Sequence, residues 1–153
     1  RYKCGDLTKE ILLLDYNKHY LHTNTATYRR EAVITINGFD ESYRRHQDLE
    51  FNLRFFEQFK IDVVQECLVR LNPAPSDVSN KVYNIGMLRL KTKFLSMFAG
   101  TINSFDTETR QEIYGRHWGE VVRYINDPKD FMSDLQEDYT NGALATMIRV
   151  QKL

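Results

Sequence analysis

The chain has 153 residues, a length typical of one domain, and its 21 basic and 21 acidic side chains give a formal net charge of zero. Balanced charge argues against a dedicated nucleic-acid-binding protein, because such proteins normally carry a basic surplus. Hydrophobic residues make up 42% of the chain, which is enough for a folded core. No apolar run approaches the roughly 18 residues of a transmembrane helix, so we expect a cytoplasmic protein that is at most peripheral at a membrane.

The first half of the chain alternates between helical and β-type patterns. A helix is predicted at about Leu7–Leu14, and alternating strand formers predict an extended segment at His19–Tyr28. A short helix at Arg30–Ile36 ends before Gly38, which is placed to close it in the left-handed conformation. A longer helix is predicted at about Arg45–Phe59, and its two apolar stripes indicate burial on more than one side.

The longer helix also carries Glu50 and Arg54, four residues apart in the favourable order, which predicts a minor ion pair at the surface. Brief β-type runs follow at Ile61–Val64 and Cys67–Leu71. The breaker cluster at Asn72–Asp77 is the best candidate for a boundary between two parts of the chain. We therefore divide the chain into residues 1–78 and 79–153.

The second part is predicted to be entirely helical. Helices are expected from Ser79 or Asn80 to about Phe98, from Thr107 towards Tyr124, and at about Pro128–Met147, with a loop at Gly100–Asp106. In the first of these helices, basic residues alternate with apolar ones and predict a solvated face: Arg89, Lys91 and Lys93. Cys4 and Cys67 are far apart and form no Cys-x-x-Cys pair, which favours two reduced thiols over a metal site.

Three stretches in the first part have a more specific pattern: Thr25–Ala32, Asn37–Ser42 and His46–Arg54. In order and spacing they resemble the second half of the family 2 glycosyltransferases of the GT-A fold. The resemblance covers roughly residues 5 to 80. It implies an α+β fragment of a GT-A domain that is helix-dominated, with a few short strands and an all-helical C-terminal part.

The resemblance also implies a site at the start of the predicted long helix. Asp48 matches the aspartate that acts as general base in that family and removes a proton from the acceptor hydroxyl. Arg45, His46 and Gln47 lie beside it as candidate contacts to the acceptor sugar. The alternatives are an aspartate that only caps a helix and an exposed histidine at a helix start, both of which are common.

The chain departs from the family pattern in several ways. It has no Asp-x-Asp motif for a metal-bound nucleotide diphosphate, and Gln47 stands where the family usually has glutamate. A Gln-x-x-Arg-Trp motif is also absent, which favours the transfer of single sugars over processive polymerisation. The chain opens at Arg1 without methionine, so we expect an upstream nucleotide-binding half that binds the nucleotide-sugar and a divalent metal, Mn or Mg. This chain alone should be inactive.

A different class of function remains open. The helices after Ser79 would then form a non-catalytic interaction or dimerisation module, and Asp48 would be only a helix-start residue. For the fragment itself, a sheet that lacks its partner half should have an exposed edge and an uncovered apolar face, which predicts self-association.

Overall fold

The computed structural model describes residues 4–15, 21, 23–70, 72, 85–123 and 146. The chain divides into two compact units, Arg1–Ser79 and Asn80–Leu153. The described residues are dominated by helices, and their β-structure is limited to one isolated antiparallel bridge between Gly5 and Ile61. The predicted helix at Pro128–Met147 and the predicted helix start at Ser79 or Asn80 lie outside the described residues, Thr146 excepted.

Unit 1 has three described α-helices, and the sequence predicted each of them with slightly longer bounds. They are α1 (Thr8–Leu12), α2 (Arg30–Thr35) and α3 (Gln47–Phe56). α1 packs against α3 and buries Ile11 and Leu12. The prediction that α3 is buried on more than one side is confirmed, since its buried apolar residues are distributed around the helix: Leu49, Phe51, Leu53, Phe55 and Phe56.

α2 ends in a Schellman motif. The Gly38 N–H donates to Val33 O at 2.9 Å, and the Asn37 N–H donates to Ile34 O at 3.0 Å. Both Asn37 and Gly38 have positive φ, at 61° and 62°. The predicted closure is therefore confirmed, but Asn37 takes the first left-handed position after the helix and Gly38 the second.

The prediction of short strands is wrong for the described residues. Thr23–Thr25 forms a 3₁₀ turn, and the residues from 62 to 70 pair with no other described segment. A β-strand exists only where a neighbour accepts and donates its backbone hydrogen bonds, so β-type composition alone does not form one. His19, Tyr20 and His22, which belong to the predicted extended segment, lie outside the described residues.

Over residues 85–123, unit 2 consists of helices joined by short turns, and the prediction of an all-helical second part is confirmed there. Its helices are α4 (Ile85–Met97), α5 (Ala99–Asn103) and α6 (Thr107–Arg123). The predicted loop at Gly100–Asp106 is wrong for residues 100–103, which belong to α5, and is confirmed for residues 104–106. Ile102 is fully buried, and its packing outweighs the poor helix propensity of glycine. α6 begins where Asp106 accepts hydrogen bonds from the backbone N–H of Thr109 at 2.8 Å and from its hydroxyl at 2.7 Å.

The predicted solvated face of α4 is wrong at one position. Arg89 and Lys93 are exposed, whereas Lys91 is fully buried and forms an ion pair with Glu120 of α6. Residues two apart on a helix point to nearly opposite sides, so the alternating pattern could not belong to a single face. None of the helices among the described residues is long and apolar enough to cross a membrane.

Candidate functional site at the start of helix α3

The loop between α2 and α3, residues 37–46, is held by local hydrogen bonds. The Asp40 carboxylate accepts from the Ser42 backbone N–H at 2.9 Å and from the Ser42 hydroxyl at 2.6 Å. The Tyr43 N–H donates to Asp40 O at 3.1 Å, and the Tyr43 side chain is buried. Burial, followed by the charge of Glu50, raises the pKa of Tyr43 to about 12. The loop therefore folds back over α3 and leads directly into its first turn.

A buried ion pair within α3 fastens this loop to the end of α2. The Arg54 guanidinium bonds both Glu50 carboxylate oxygens, one of them at 2.8 Å, and also donates to Ile36 O and, at 2.7 Å, to Gly38 O. Glu50 is completely buried, which corrects the prediction of a surface pair. The periodicity of α3 placed these charges on one side of the helix but did not reveal that Arg54 would bond the backbone oxygens of Ile36 and Gly38 just after α2.

Asp48 lies in the first turn of α3 and is partly exposed. One of its carboxylate oxygens accepts the Leu49 backbone N–H at 3.0 Å. The N-cap residue is His46, which makes no side-chain capping bond, so Asp48 lies inside the helix and not at its cap position. A carboxylate here is reachable from outside and lies at the positive end of the helix dipole. It has the exposure that a proton acceptor for a hydroxyl group requires.

Tyr28 and Asn52 complete the surroundings of Asp48. The Tyr28 hydroxyl donates to Asn52 Oδ1 at 2.6 Å, and Asn52 is buried one helical turn after Asp48. The Tyr28 ring meets Phe51 and Phe55 edge-on, with ring centroids 5.0 and 5.2 Å away. Burial, followed by the negative charge of Asp48, raises the pKa of Tyr28 to about 12. Tyr28 is therefore a neutral phenol beside the carboxylate over the whole physiological pH range.

Neither Tyr28 nor Asn52 was among the predicted site residues. Asn52 carried a usable signal, because a polar side chain four residues after Asp48 and between two buried apolar stripes must find a hydrogen-bond partner. Tyr28 carried none, because its contact with α3 spans 24 residues and depends on the fold.

The other three predicted site residues, Arg45, His46 and Gln47, differ in how far they are buried. Gln47 is exposed, Arg45 is half-buried, and His46 is buried with a left-handed backbone at φ 60°. The alternative of an exposed histidine is therefore wrong. A left-handed backbone costs a residue other than glycine about 1–2 kcal/mol, which the surrounding loop must offset. His46 forms the turn that leads into the helix. Gln47 and Asp48, which follow it, are exposed and partly exposed.

The described residues offer no metal centre, since they contain no group of three or more histidine, cysteine, aspartate or glutamate side chains that could hold an ion. The acidic side chains near Asp48 already have other roles. Glu50 is bound to Arg54, and Asp40 forms the turn before α3. Both of these carboxylates are therefore engaged in contacts within the chain.

A cavity of about 1190 Å³ opens beside Tyr28 in unit 1. One wall consists of residues 25–29 and Phe55, and the other of residues 59–64 and 66–69. Tyr28 lines it, whereas Asp48 does not. The second wall is the extended segment that follows the Gly5–Ile61 bridge.

Comparisons with known proteins found no matching family model, no matching curated protein and no matching solved structure.

Proposed function

We propose that this chain is the C-terminal, acceptor-binding part of a family 2 glycosyltransferase of the GT-A fold. The whole enzyme would transfer one sugar at a time from a nucleotide-sugar donor to an acceptor hydroxyl, with inversion at the anomeric carbon. The proposal is supported by the order of the three motifs and by one observation above all: Asp48 is partly exposed in the first turn of a helix that Arg54 ties to the end of α2.

In this reaction Asp48 acts as general base. Its carboxylate takes the proton of the acceptor hydroxyl as that oxygen forms a bond to the anomeric carbon. The bond from the anomeric carbon to the nucleoside diphosphate breaks on the opposite face, and the diphosphate leaves with the bonding electrons. The proton remains on Asp48 until it passes to solvent. Arg45 and Gln47 would contact the acceptor, and buried His46 would shape the turn that presents them.

The donor lies outside what this chain supplies. The nucleotide diphosphate requires neutralisation of its charge, which the family achieves with a divalent metal. We assign the nucleotide and the metal to an upstream nucleotide-binding half, so this chain alone is expected to be inactive. The acceptor is a saccharide or another hydroxyl compound.

The test is the Asp48→Asn variant of the full-length protein, with release of nucleoside diphosphate from nucleotide-sugars as the readout. Loss of a general base lowers kcat by about 100-fold or more. Glu41→Gln is the matched control, because Glu41 is an exposed acid in the preceding loop. Its turnover should equal that of the parent. An Asp48→Asn enzyme within about twofold of the parent would overturn the assignment of Asp48.

The competing proposal is a non-catalytic interaction module, favoured by the uncovered extended segment after Ile61. Asp48 would then serve the helix only through its bond to the Leu49 N–H. This alternative predicts that the full-length protein releases no nucleoside diphosphate from any donor, whether or not Asp48 is intact.

A further inference from the structure

The residues from Asp62 to Arg70, here named the 62–70 segment, form an extended run that the rest of unit 1 leaves largely uncovered. Three of its apolar side chains are strongly exposed: Val64 at 62%, Leu68 at 69% and Val69 at 41%. In an extended run, Val64 and Leu68 point to one side and Val69 to the other, so the segment exposes apolar side chains on both sides.

The backbone of the 62–70 segment is also open. Within the part of the chain that the structure describes, the backbone N–H groups of Val64, Glu66 and Leu68 donate to no acceptor. Elsewhere in the segment, the Val63 N–H donates to the Asp62 carboxylate at 2.8 Å, and the Val69 carbonyl accepts a weak bond from Cys67 Sγ at 3.9 Å. An extended run of unpaired N–H and C=O groups is a template on which another strand can form hydrogen bonds.

The sequence of the segment is complementary to itself when it runs antiparallel. With Glu66 opposite Glu66, Asp62 lies opposite Arg70, and apolar residues lie opposite one another: Val63 with Val69, and Val64 with Leu68. Shifting the register by one or two residues places a charged end opposite Val63, Val64, Leu68 or Val69. Only the register centred on Glu66 matches both charges and all four apolar side chains, and each such pair stabilises a sheet.

We propose that two copies of this chain associate by pairing their 62–70 segments as antiparallel β-strands centred on Glu66. Asp62 and Arg70 are both exposed, and the structure gives neither of them an ion pair within the described residues. Both are therefore available to the second copy. The pair of Glu66 side chains opposes association, because like charges directly opposite each other are destabilising. Nine residues form a small interface, so the dimer is weak and concentration-dependent.

This inference is independent of the proposed function, because it uses only the backbone, the exposure and the charges of the 62–70 segment. In a longer protein, an upstream strand that covers the same segment would compete with the second copy. The tests below therefore use the present chain, and activity is not their readout.

The register is tested by disulfide trapping in a Cys4→Ser background. Residues directly opposite have Cα atoms close enough for a disulfide, whereas diagonal neighbours about 7–8 Å apart do not. We expect Glu66→Cys with Cys67→Ser to give a covalent dimer under mild oxidation. Cys67 alone should remain largely monomeric, because it lies opposite Gln65. Gln65→Cys should trap the dimer only while Cys67 is present.

The end charges are tested by reversal, with the monomer–dimer equilibrium followed by sedimentation. Asp62→Arg or Arg70→Asp alone places like charges opposite each other and should weaken association about threefold to tenfold. The double variant Asp62→Arg/Arg70→Asp restores both pairs and should restore association. Glu66→Gln should strengthen association, because it removes the central repulsion.

These measurements can also overturn the proposal. A chain that remains monomeric up to about 0.5 mM would do so, because a specific dimer with a Kd in the micromolar range is well populated at that concentration. A dimer that Glu66→Cys fails to trap, or that survives both single charge reversals unchanged, would show that another surface carries the association. All substituted positions are exposed, so loss of folding does not explain a negative result.

Discussion

Arg54 bonds both oxygens of the buried Glu50 carboxylate and, with the same guanidinium group, the backbone oxygens of Ile36 and Gly38 at the end of α2. The hydrogen bond to Glu50, followed by the carboxylate charges of Glu50, Asp40 and Glu57, raises the pKa of Arg54 despite its partial burial. One side chain therefore joins two helices and the loop between them. Because this loop leads into the turn that carries Asp48, the ion pair determines where that carboxylate lies.

Replacing Arg54 by methionine should strongly destabilise unit 1. It leaves the Glu50 carboxylate buried without its counter-charge, and removing one partner of such a pair costs about 3–5 kcal/mol. The measurement is amide hydrogen exchange in α3, which reports the opening free energy of this unit separately from unit 2.

The matched control is the double variant Glu50→Met/Arg54→Met. It removes both charges and keeps apolar volume at each position, so it should recover much of the lost stability. If the single and double variants lose the same free energy, the uncompensated charge of Glu50 is not the cause of the loss.

The proximity of Tyr28 to Asp48 predicts a specific change in titration. Asp48→Asn should lower the pKa of Tyr28 from about 12, because the Asp48 charge disfavours the phenolate. The pKa should stay above 10.0, since burial is the larger cause and remains. Carbon-13 NMR of the tyrosine ζ carbons measures this, with Tyr28→Phe to assign the signal. Glu41→Gln should leave the titration unchanged, and an unchanged pKa in Asp48→Asn would contradict this arrangement.

Tyr28 and Tyr43 predict that unit 1 loses stability at high pH. The folded state raises the pKa of Tyr28 and of Tyr43 from 10.0 to about 12, so it binds their protons more tightly than the unfolded state does. Their contribution is fully present below pH 10 and is lost as the pH rises towards 12. Hydrogen exchange across this pH range should show that the free energy of unfolding of unit 1 falls as the pH rises. Tyr43→Phe should reduce its slope, and an equal slope would contradict the assignment.

In unit 2, the buried Lys91 predicts a large difference between two glutamates of α6. Glu120→Gln removes the counter-charge of a fully buried ammonium group and should destabilise unit 2 by about 3–5 kcal/mol. Glu112→Gln removes only an exposed partner of Arg116, whose side chain is 43% exposed, and should cost at most about 0.5 kcal/mol. Urea unfolding followed by Trp118 fluorescence compares the two variants. An equal loss of unfolding free energy in both would contradict the buried pair of Lys91 and Glu120.

The helices could be predicted because their signals are local. Apolar stripes and helix boundary signals located α1, α2, α3, α4 and α6, and Gly38 predicted the left-handed closure of α2, which begins one residue earlier at Asn37. The features that were predicted wrongly all depend on residues far away in the sequence. The β-type runs after Ile61 lack a partner among the described residues, and α5 forms because Ile102 is buried by its neighbours. Composition reveals neither whether a strand has a partner nor which residues will bury Ile102.

The candidate site was predictable to a similar extent. The motif placed Asp48 at a helix start, and the structure puts it in the first turn of α3. Spacing predicted the pair of Glu50 and Arg54 but not its burial, and it gave no sign of the pair of Lys91 with Glu120, which lie 29 residues apart. Tyr28 was missed because its hydrogen bond to Asn52 joins segments that only the folded chain brings together.

The ion pair of Glu50 and Arg54 also restricts how this sequence can diverge over generations. A single substitution at either position passes through a destabilised intermediate, so a new pair of residues requires two changes or a stabilising change elsewhere. The exposed pair of Glu112 and Arg116 imposes no such condition, and each of those positions can drift alone. In a set of diverging relatives, positions 50 and 54 would therefore vary together, while positions 112 and 116 would vary independently.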